Sequence, residues 1–410
     1  MTIVTTVGGS LSFFRDLGEK LQSRHWTVYA SSKDDSALER WATAEGFLAT
    51  PLDLHRAISP IRDIRAIVAC IYSLHKTTPA IVHAHTPKAG LVAMIAAWAA
   101  GVPKRLYTVH GLPIETSTGL RAFWLWLADA IALLCATDVY AVSASVKTSL
   151  KRYRLPRATS AKVLGHGTVC GVDIRRRFHY SEDDVRLTRK AVRERFGIPQ
   201  DAVVAGFVGR FVQDKGIREL VSAARMAQRD APGLHMLMVG TIDRDGGPEF
   251  ASLSDVQNDS QWSWAGWQPD VEKYYPAMDF LVLPSYREGF PTVVLEAAAM
   301  GVPSIVADTT GCVDAVVHRQ TGIVVPVRDS KTLAEAMVLY SRDAEVREKH
   351  GRGARERVCS QFSQDSVQSL LVEEYERLWE SLTSRTWPEP REEIKTVSCA
   401  AVLPQERSAA

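Results

Sequence analysis

Two carboxylates, Glu288 and Glu296, and two cations, Arg210 and Lys215, are the residues of this chain best suited to act together on one ligand. Glu288 stands in the segment Ser285-Tyr286-Arg287-Glu288-Gly289-Phe290-Pro291. Before it, the apolar run from Phe280 to Leu283 suits a strand buried on both faces. After it, an apolar helix is expected from Thr292 to Met300, closed by Gly301. Glu296 falls just over one turn into that helix. A carboxylate offers two oxygens to a vicinal diol, so Glu296 can hold a ribose and Glu288 the hydroxyls of a sugar. Arg210 and Lys215 follow the apolar run Val203 to Val208 in the segment Gly209-Arg210-Phe211-Val212-Gln213-Asp214-Lys215-Gly216. There they can reach phosphates, as can the free N–H groups of the helix that starts near Thr292. Cations so placed offset the charge that develops on a leaving diphosphate. This chemistry needs neither a divalent metal nor a covalent nucleophile. Each pair alone would be ordinary, because single cations often form surface ion pairs and glutamates near a helix start often serve only its dipole. Their coincidence at predicted strand ends is what points to a sugar nucleotide.

Further polar groups collect at strand ends in the first half. The strand Ala80–Ala84 is followed by His85 and Lys88, and the strand Arg105–Val109 by His110-Gly111. Lone histidines are commonly structural, but delivery to a shared edge makes His110 a candidate site residue. Gly8-Gly9 separates a first strand, Ile3 to Val7, from Leu11, Phe14, Leu17 and Leu21 at helical spacing. The pair allows close backbone approach to a phosphate yet falls short of G-x-G-x-x-G. Asp243-Arg244-Asp245 has the D-x-D form that can hold a divalent ion, but such triplets arise often by chance, and no metal site is expected.

These residues must be positioned by two series of alternating strands and helices. Ile3–Val7, Trp26–Ala30, Ala80–Ala84, Arg105–Val109 and Asp138–Val142 belong to the first series. Val203–Val208, Leu234–Val239, Trp262–Gly266, Phe280–Leu283, Ser304–Ala307 and Gly322–Val325 belong to the second. The fold class is therefore α/β, with two doubly wound Rossmann-like domains. Ligands of such sheets bind at the carboxyl ends of the strands, so the two halves are expected to face each other across a cleft. A glycine-rich passage at Gly165-His166-Gly167 and Gly171-Val172-Asp173 sets the junction, giving domains 1–175 and 176–361. The basic runs Arg175 to Arg177 and Arg186 to Arg195 read as solvated surface. Phe362 to Leu382 reads as a last helix, and 383–410 as a disordered tail.

With 410 residues, of which 46% are hydrophobic, the chain can fill two cores, and its net charge of +2 gives no basic stripe for nucleic acid. Six scattered cysteines (Cys70, Cys135, Cys170, Cys312, Cys359, Cys399) fit reduced thiols of a cytoplasmic protein. The amino terminus lacks the pattern of a signal peptide. Ala122 to Ala136 is apolar but shorter than the roughly 20 residues that span a bilayer, and Asp129 interrupts it. It reads as a buried or interfacial helix, and exposure of Trp124 and Trp126 would favour peripheral contact with the inner membrane face.

The motifs resemble those of the retaining glycosyltransferases of family 4, of the GT-B fold. Glu288 to Glu296 with Gly289-Phe290-Pro291 is similar to that family's E-x7-E signature, and Gly209-Arg210 with Lys215-Gly216 to its G-R-x(4)-K-G loop. The segments from His83 to Gly90, Thr108 to Gly111 and Gly165 to Asp173 resemble a bacterial branch that builds capsule, exopolysaccharide or O-antigen. The resemblance implies a hexosyl transfer, without a metal or other cofactor, from a uridine diphosphate sugar to a lipid-linked saccharide acceptor. It assigns Arg210 and Lys215 to the diphosphate and Glu296 to the ribose. Glu288, Gly289 and Phe290, flanked by Pro291 and Thr292, fall to the donor sugar, His110 to the reacting centre, and Gly240 with Trp267-Gln268 to the nucleobase. It places Gly8 and Gly9 over the diphosphate from the first domain, and it returns the last helix, 362–382, to that domain. Retention is usually drawn as front-face attack in which the leaving phosphate takes the acceptor proton. Cys170 departs from the pattern, standing where relatives often carry a small polar residue. A sugar-nucleotide epimerase and a non-catalytic nucleotide-sugar-binding subunit are the alternatives. The phosphate loop argues against the first, and the retained charged residues against the second.

Overall fold

The computed structural model describes residues 1–55, 59–242 and 253–383. Among these, two six-stranded parallel sheets form the centres of two domains. The first contains β1 (Thr2–Val4), β2 (Tyr29–Ser31), β3 (Leu48–Ala49), β4 (Ile81–His85), β5 (Lys104–Val109) and β6 (Asp138–Ala141) in the order β3-β2-β1-β4-β5-β6. The second contains β7 (Val203–Val208), β8 (Leu234–Val239), β9 (Trp262–Gly266), β10 (Phe280–Leu283), β11 (Ser304–Ala307) and β12 (Gly322–Val325) in the order β12-β11-β10-β7-β8-β9. Both orders reverse direction once, between β1 and β4 and between β7 and β10. At that switch point the two flanking connections run to opposite faces, leaving a crevice beyond the carboxyl edge. The loops after β7 and β10 carry Lys215 and Glu288, so the second crevice lies between them.

The strands of the second sheet are almost wholly buried, as apolar runs covered on both faces require. Its core also takes Phe362, whose ring meets Phe290 at 5.3 Å. Phe362 therefore ends the helix Ala344–Gln361 rather than opening the last one, which runs Gln364–Thr383. That last helix lies on the first domain: Leu371, Val372, Tyr375 and Leu378 pack into a core with Ile3, Leu11 and Leu106.

The amino-terminal segment departs from its periodicity. β1 stops at Val4 because Thr6 turns to Thr86, its N–H donating to the Thr86 hydroxyl at 3.2 Å and the two hydroxyls meeting at 2.6 Å. A 3₁₀ turn, Gly8–Phe14, follows, and α1 (Leu17–Gln22) begins only after Asp16 takes a positive φ of 62°. Trp26 is not in β2, since its ring packs beside Trp379 and Tyr375 of the last helix. The other helices used below are α2 (Ser36–Glu45), α3 (Pro60–Thr77), α4 (Pro87–Ala99), α5 (Gly119–Cys135), α6 (Ala144–Arg152), α7 (Glu182–Arg195) and α8 (Ile217–Asp230). Proline at its first position starts α4 at Pro87, so Lys88 sits in its first turn. None of the described helices is long and apolar enough to cross a membrane. On α5, Trp124 is 55% exposed, but Trp126 is partly buried and its indole N–H donates to the Tyr153 carbonyl at 3.0 Å.

Candidate active site

Lys215 and Glu288 meet across the second crevice, with Nζ 2.5 Å from Oε1. Lys215 is held by a 3₁₀ turn, Gln213–Lys215, before α8, and Glu288 by the loop leaving β10. Arg287, its neighbour, pairs with Asp214 at 2.9 Å and reaches Thr116 of the first domain at 3.3 Å. The pair therefore sits in a braced loop rather than on a free surface. Arg210 is exposed at the same strand end, just after Gly209.

The loop of Glu288 is pressed against the first domain. A Cβ on Gly289 would lie 2.1 Å from the His110 carbonyl oxygen, so only glycine permits this approach. Polar contacts bind the domains around it. Glu115 accepts from the hydroxyls of Ser149 (2.5 Å) and Thr310 (2.8 Å), the Gly311 N–H donates to Ser145 Oγ at 2.7 Å, and the Ser145 hydroxyl donates to Asp314. The expected cleft is thus present and closed at this point.

His110 shares a hydrogen bond with His85, Nε2 to Nδ1, at 2.9 Å, and stacks on Phe13 with 5.4 Å between centroids. His85 is fully buried, and its Nε2 has no hydrogen-bond partner. Its ring lies 4.0 Å from that of His83, which is held by Thr108 and by Tyr375 of the last helix, each at 2.7 Å. Burial pushes His110 down to about 4 and His83 to about 3; it also drives His85 far below the ordinary 6.5, helped by its two neighbours. All three imidazoles are neutral near pH 7.

Glu296 opens onto a cavity of about 140 Å³ between the domains, lined also by Ser12, Phe13, Arg15, Arg177 and Thr292. Its carboxylate accepts from the Tyr275 hydroxyl at 2.7 Å, and burial raises its pKa. The helix Thr292–Ala299 begins beside the cavity with no side-chain cap, leaving its first N–H groups to an anion. Cys170 also lines this cavity, its thiol raised by burial to about 12.

Several expectations are revised here. Arg177 does not belong to a solvated run: it lines the cavity and pairs with Glu272 at 2.7 Å, while Arg175 and Arg176 remain outside. Gly8 packs on α2, where a Cβ would meet Asp35 and Leu38 at 2.4 Å, and Gly9 is exposed. Ser12, Phe13 and Arg15, further along the same turn, line the cavity instead. Gly240 and Trp267 directly follow the adjacent strands β8 and β9. Trp267 is 69% exposed, and the Gln268 amide donates back to the Ala265 carbonyl. Asp243 and Asp245 lie outside the described residues. Phe13, Arg15 and Arg177 had no motif to flag them, since only the packing of the two domains brings them to Glu296.

The family model for glycosyl transferases group 1 matches residues 188–357, and that for Glycosyltransferase Family 4 matches residues 7–167. Over 372 residues the chain is 31% identical to the capsular polysaccharide biosynthesis glycosyltransferase CapM of Staphylococcus aureus, covering 91% of this chain and 95% of that one. The chain belongs to glycosyltransferase family 4. It is also 25% identical, over 78% of its length and 82% of the other, to an Escherichia coli UDP-Gal:alpha-D-GlcNAc-diphosphoundecaprenol alpha-1,3-galactosyltransferase. Among solved structures, Anabaena HepE in complex with UDP and glucose shares the GT-B fold, with a TM-score of 0.76 at 18% identity, over 92% of this chain and 98% of that one.

For this glycosyltransferase, Glu296→Ala is expected to raise KM for the nucleotide sugar by roughly 10- to 100-fold, the worth of hydrogen bonds to a charged acceptor. The turnover number should change much less, as steady-state kinetics in donor concentration will show.

Proposed function

We propose that the transferase moves a sugar, with retention, from a uridine diphosphate sugar to a lipid-linked saccharide in the assembly of a cell-surface polysaccharide. The observation that carries this is the Lys215–Glu288 pair at the switch point, pressed by Gly289 against the backbone of His110. A donor in this crevice has its diphosphate beside Lys215, Arg210 and the start of the helix Thr292–Ala299, its ribose at Glu296, and its sugar between Glu288 and His110. Positive charge and N–H donors then offset the charge released on the diphosphate as the glycosidic bond breaks. The CapM and galactosyltransferase relatives support the polysaccharide setting and the lipid diphosphate acceptor, and HepE supports UDP as the nucleotide.

The test is a panel of nucleotide sugars screened by thermal shift, followed by transfer assays with a polyprenyl diphosphate-linked saccharide. A UDP-sugar should raise Tm, because it binds only the folded state, and UDP should be released only with acceptor present. Formation of a sugar isomer without acceptor would instead establish an epimerase.

A further inference from the structure

On the outer side of the first domain, α3, α4 and α5 enclose a groove of about 540 Å³, the size of a ligand pocket. Its walls are hydrocarbon: Ile64 and Ile67 from α3, Leu91 from α4, and Trp124, Leu127 and Ile131 from α5. Ile64 and Trp124 are 61% and 55% exposed. The aliphatic side chains among these offer no group that recognises a sugar hydroxyl or a base edge. We propose that this groove holds the first isoprenoid units of the polyprenyl diphosphate acceptor, an inference that rests on the transfer reading above.

Three observations favour that occupant. First, the mouth of the groove is formed by the connections that carry the site: Lys88 lies three residues beyond His85, and Pro113 three beyond His110. An occupant is therefore held near the reacting centre, with the acceptor's saccharide and diphosphate spanning the distance between them. Second, the charges complement a diphosphate at the mouth. The Lys88 ammonium is 10% exposed and neutralised by both oxygens of Asp63, at 2.7 and 2.8 Å, so the positive charge on offer is that of Arg62, Arg65 and Arg121, exposed on the two flanking helices. Third, the apolar surface runs on past the groove along the same helices through exposed Ile61, Val68, Leu120 and Phe123, a path by which a long chain leaves toward a bilayer. Asp63 and Lys88 pair with each other, and Asp129 is the other ionisable group of the lining. It is 5% exposed, its Oδ2 has no hydrogen-bond partner, and burial raises it to about 7, so a hydrocarbon neighbour finds much of it uncharged near neutral pH.

The test uses the double variant Ile64→Ser/Trp124→Ser, in which both replaced side chains are largely exposed and the fold is expected to hold. Calorimetric titration with farnesyl diphosphate should show binding to the wild type that weakens in the variant on the order of tenfold or more. Lys215→Ala should leave it unchanged. Equal affinity in wild type and double variant, or loss of binding only in Lys215→Ala, overturns the proposal. In transfer assays with one saccharide on a long or a single-isoprene carrier, the wild type should favour the long chain through KM. The double variant should lose that preference and keep kcat on the short one. Should the variant lose only its binding to acceptor-free anionic vesicles, or only self-association, with chain preference intact, the surface is a bilayer or subunit contact and the proposal fails. Farnesyl diphosphate binding that depends on Ile64 and Trp124 without any transfer would uphold the groove and sink the transfer reading instead.

Discussion

Replacing Lys215 with alanine is expected to lower kcat by about 10²- to 10³-fold, with a much smaller change in KM for the donor. The reason is where the charge appears. In the proposed donor complex the diphosphate already carries its charges in the ground state, and Arg210 and the N–H groups at the start of the helix Thr292–Ala299 are expected to hold it. As the glycosidic bond breaks, further charge flows onto the leaving phosphate, and a fixed ammonium lowers that state more than the one before it. Glu288 keeps Lys215 in place at 2.5 Å, so the two act as a unit. Glu288→Gln should also lose about 10²-fold or more. The double variant Lys215→Ala/Glu288→Gln should cost little more than the worse single one, because residues that work together are not additive. Lys215→Arg should recover part of the rate. Single-turnover rates at saturating donor measure these effects directly, and a Lys215→Ala enzyme that turned over at the wild-type rate would remove this lysine from the transition state.

How far the chain could be read depends on how local each feature is. β7, β8, β10 and β11 coincide with their apolar runs because each is buried on both faces, and burial leaves little choice of residue type. The edge of the first sheet gave no such signal. β3 is two residues long, with both Leu48 and Ala49 exposed. α3 gives a blurred periodicity because Ile61, Ile64, Val68 and Tyr72 face outward among its exposed Arg62, Arg65 and Lys76. In the site, Lys215 and Glu288 were legible because each lies within a few residues of a strand end, and topology alone brings them together. Phe13, Arg15 and Arg177 come to Glu296 through contacts between segments more than a hundred residues apart, and Tyr275 reaches it from a turn before β10, which no local spacing records. Trp126 shows the converse error: an aromatic in an apolar helix is as easily anchored inward, here through its N–H to Tyr153, as offered to a membrane.

His110→Ala is expected to cost about 10²-fold or more in kcat/KM, the usual worth of a positioned polar group at the reacting centre. The second effect concerns which of its nitrogens carries the proton. Both imidazoles of the His85–His110 pair are neutral at pH 7, so one ring donates and the other accepts at 2.9 Å. His85 Nε2 is buried with no partner, and an orphaned acceptor is tolerated there better than an orphaned N–H. That favours His85 as the donor through Nδ1 and leaves the remaining proton of His110 on its own Nδ1. His85→Phe keeps a ring in the core but removes the donor, so His110 should redistribute toward the other tautomer and kcat should fall by about tenfold. The ¹⁵N shifts of His110 separate this from simple core damage, since packing loss would not move the proton between its nitrogens. The same burial makes the fold acid-sensitive. The unfolded chain binds these protons near the ordinary 6.5, whereas folded His110 does so only near 4 and His83 near 3. Their contribution is complete above about pH 6.5 and is lost as pH falls toward 4, at most roughly 3 kcal/mol for His110. Thermal unfolding of the wild type should therefore drop steeply between pH 7 and 5, and His110→Phe should flatten that drop.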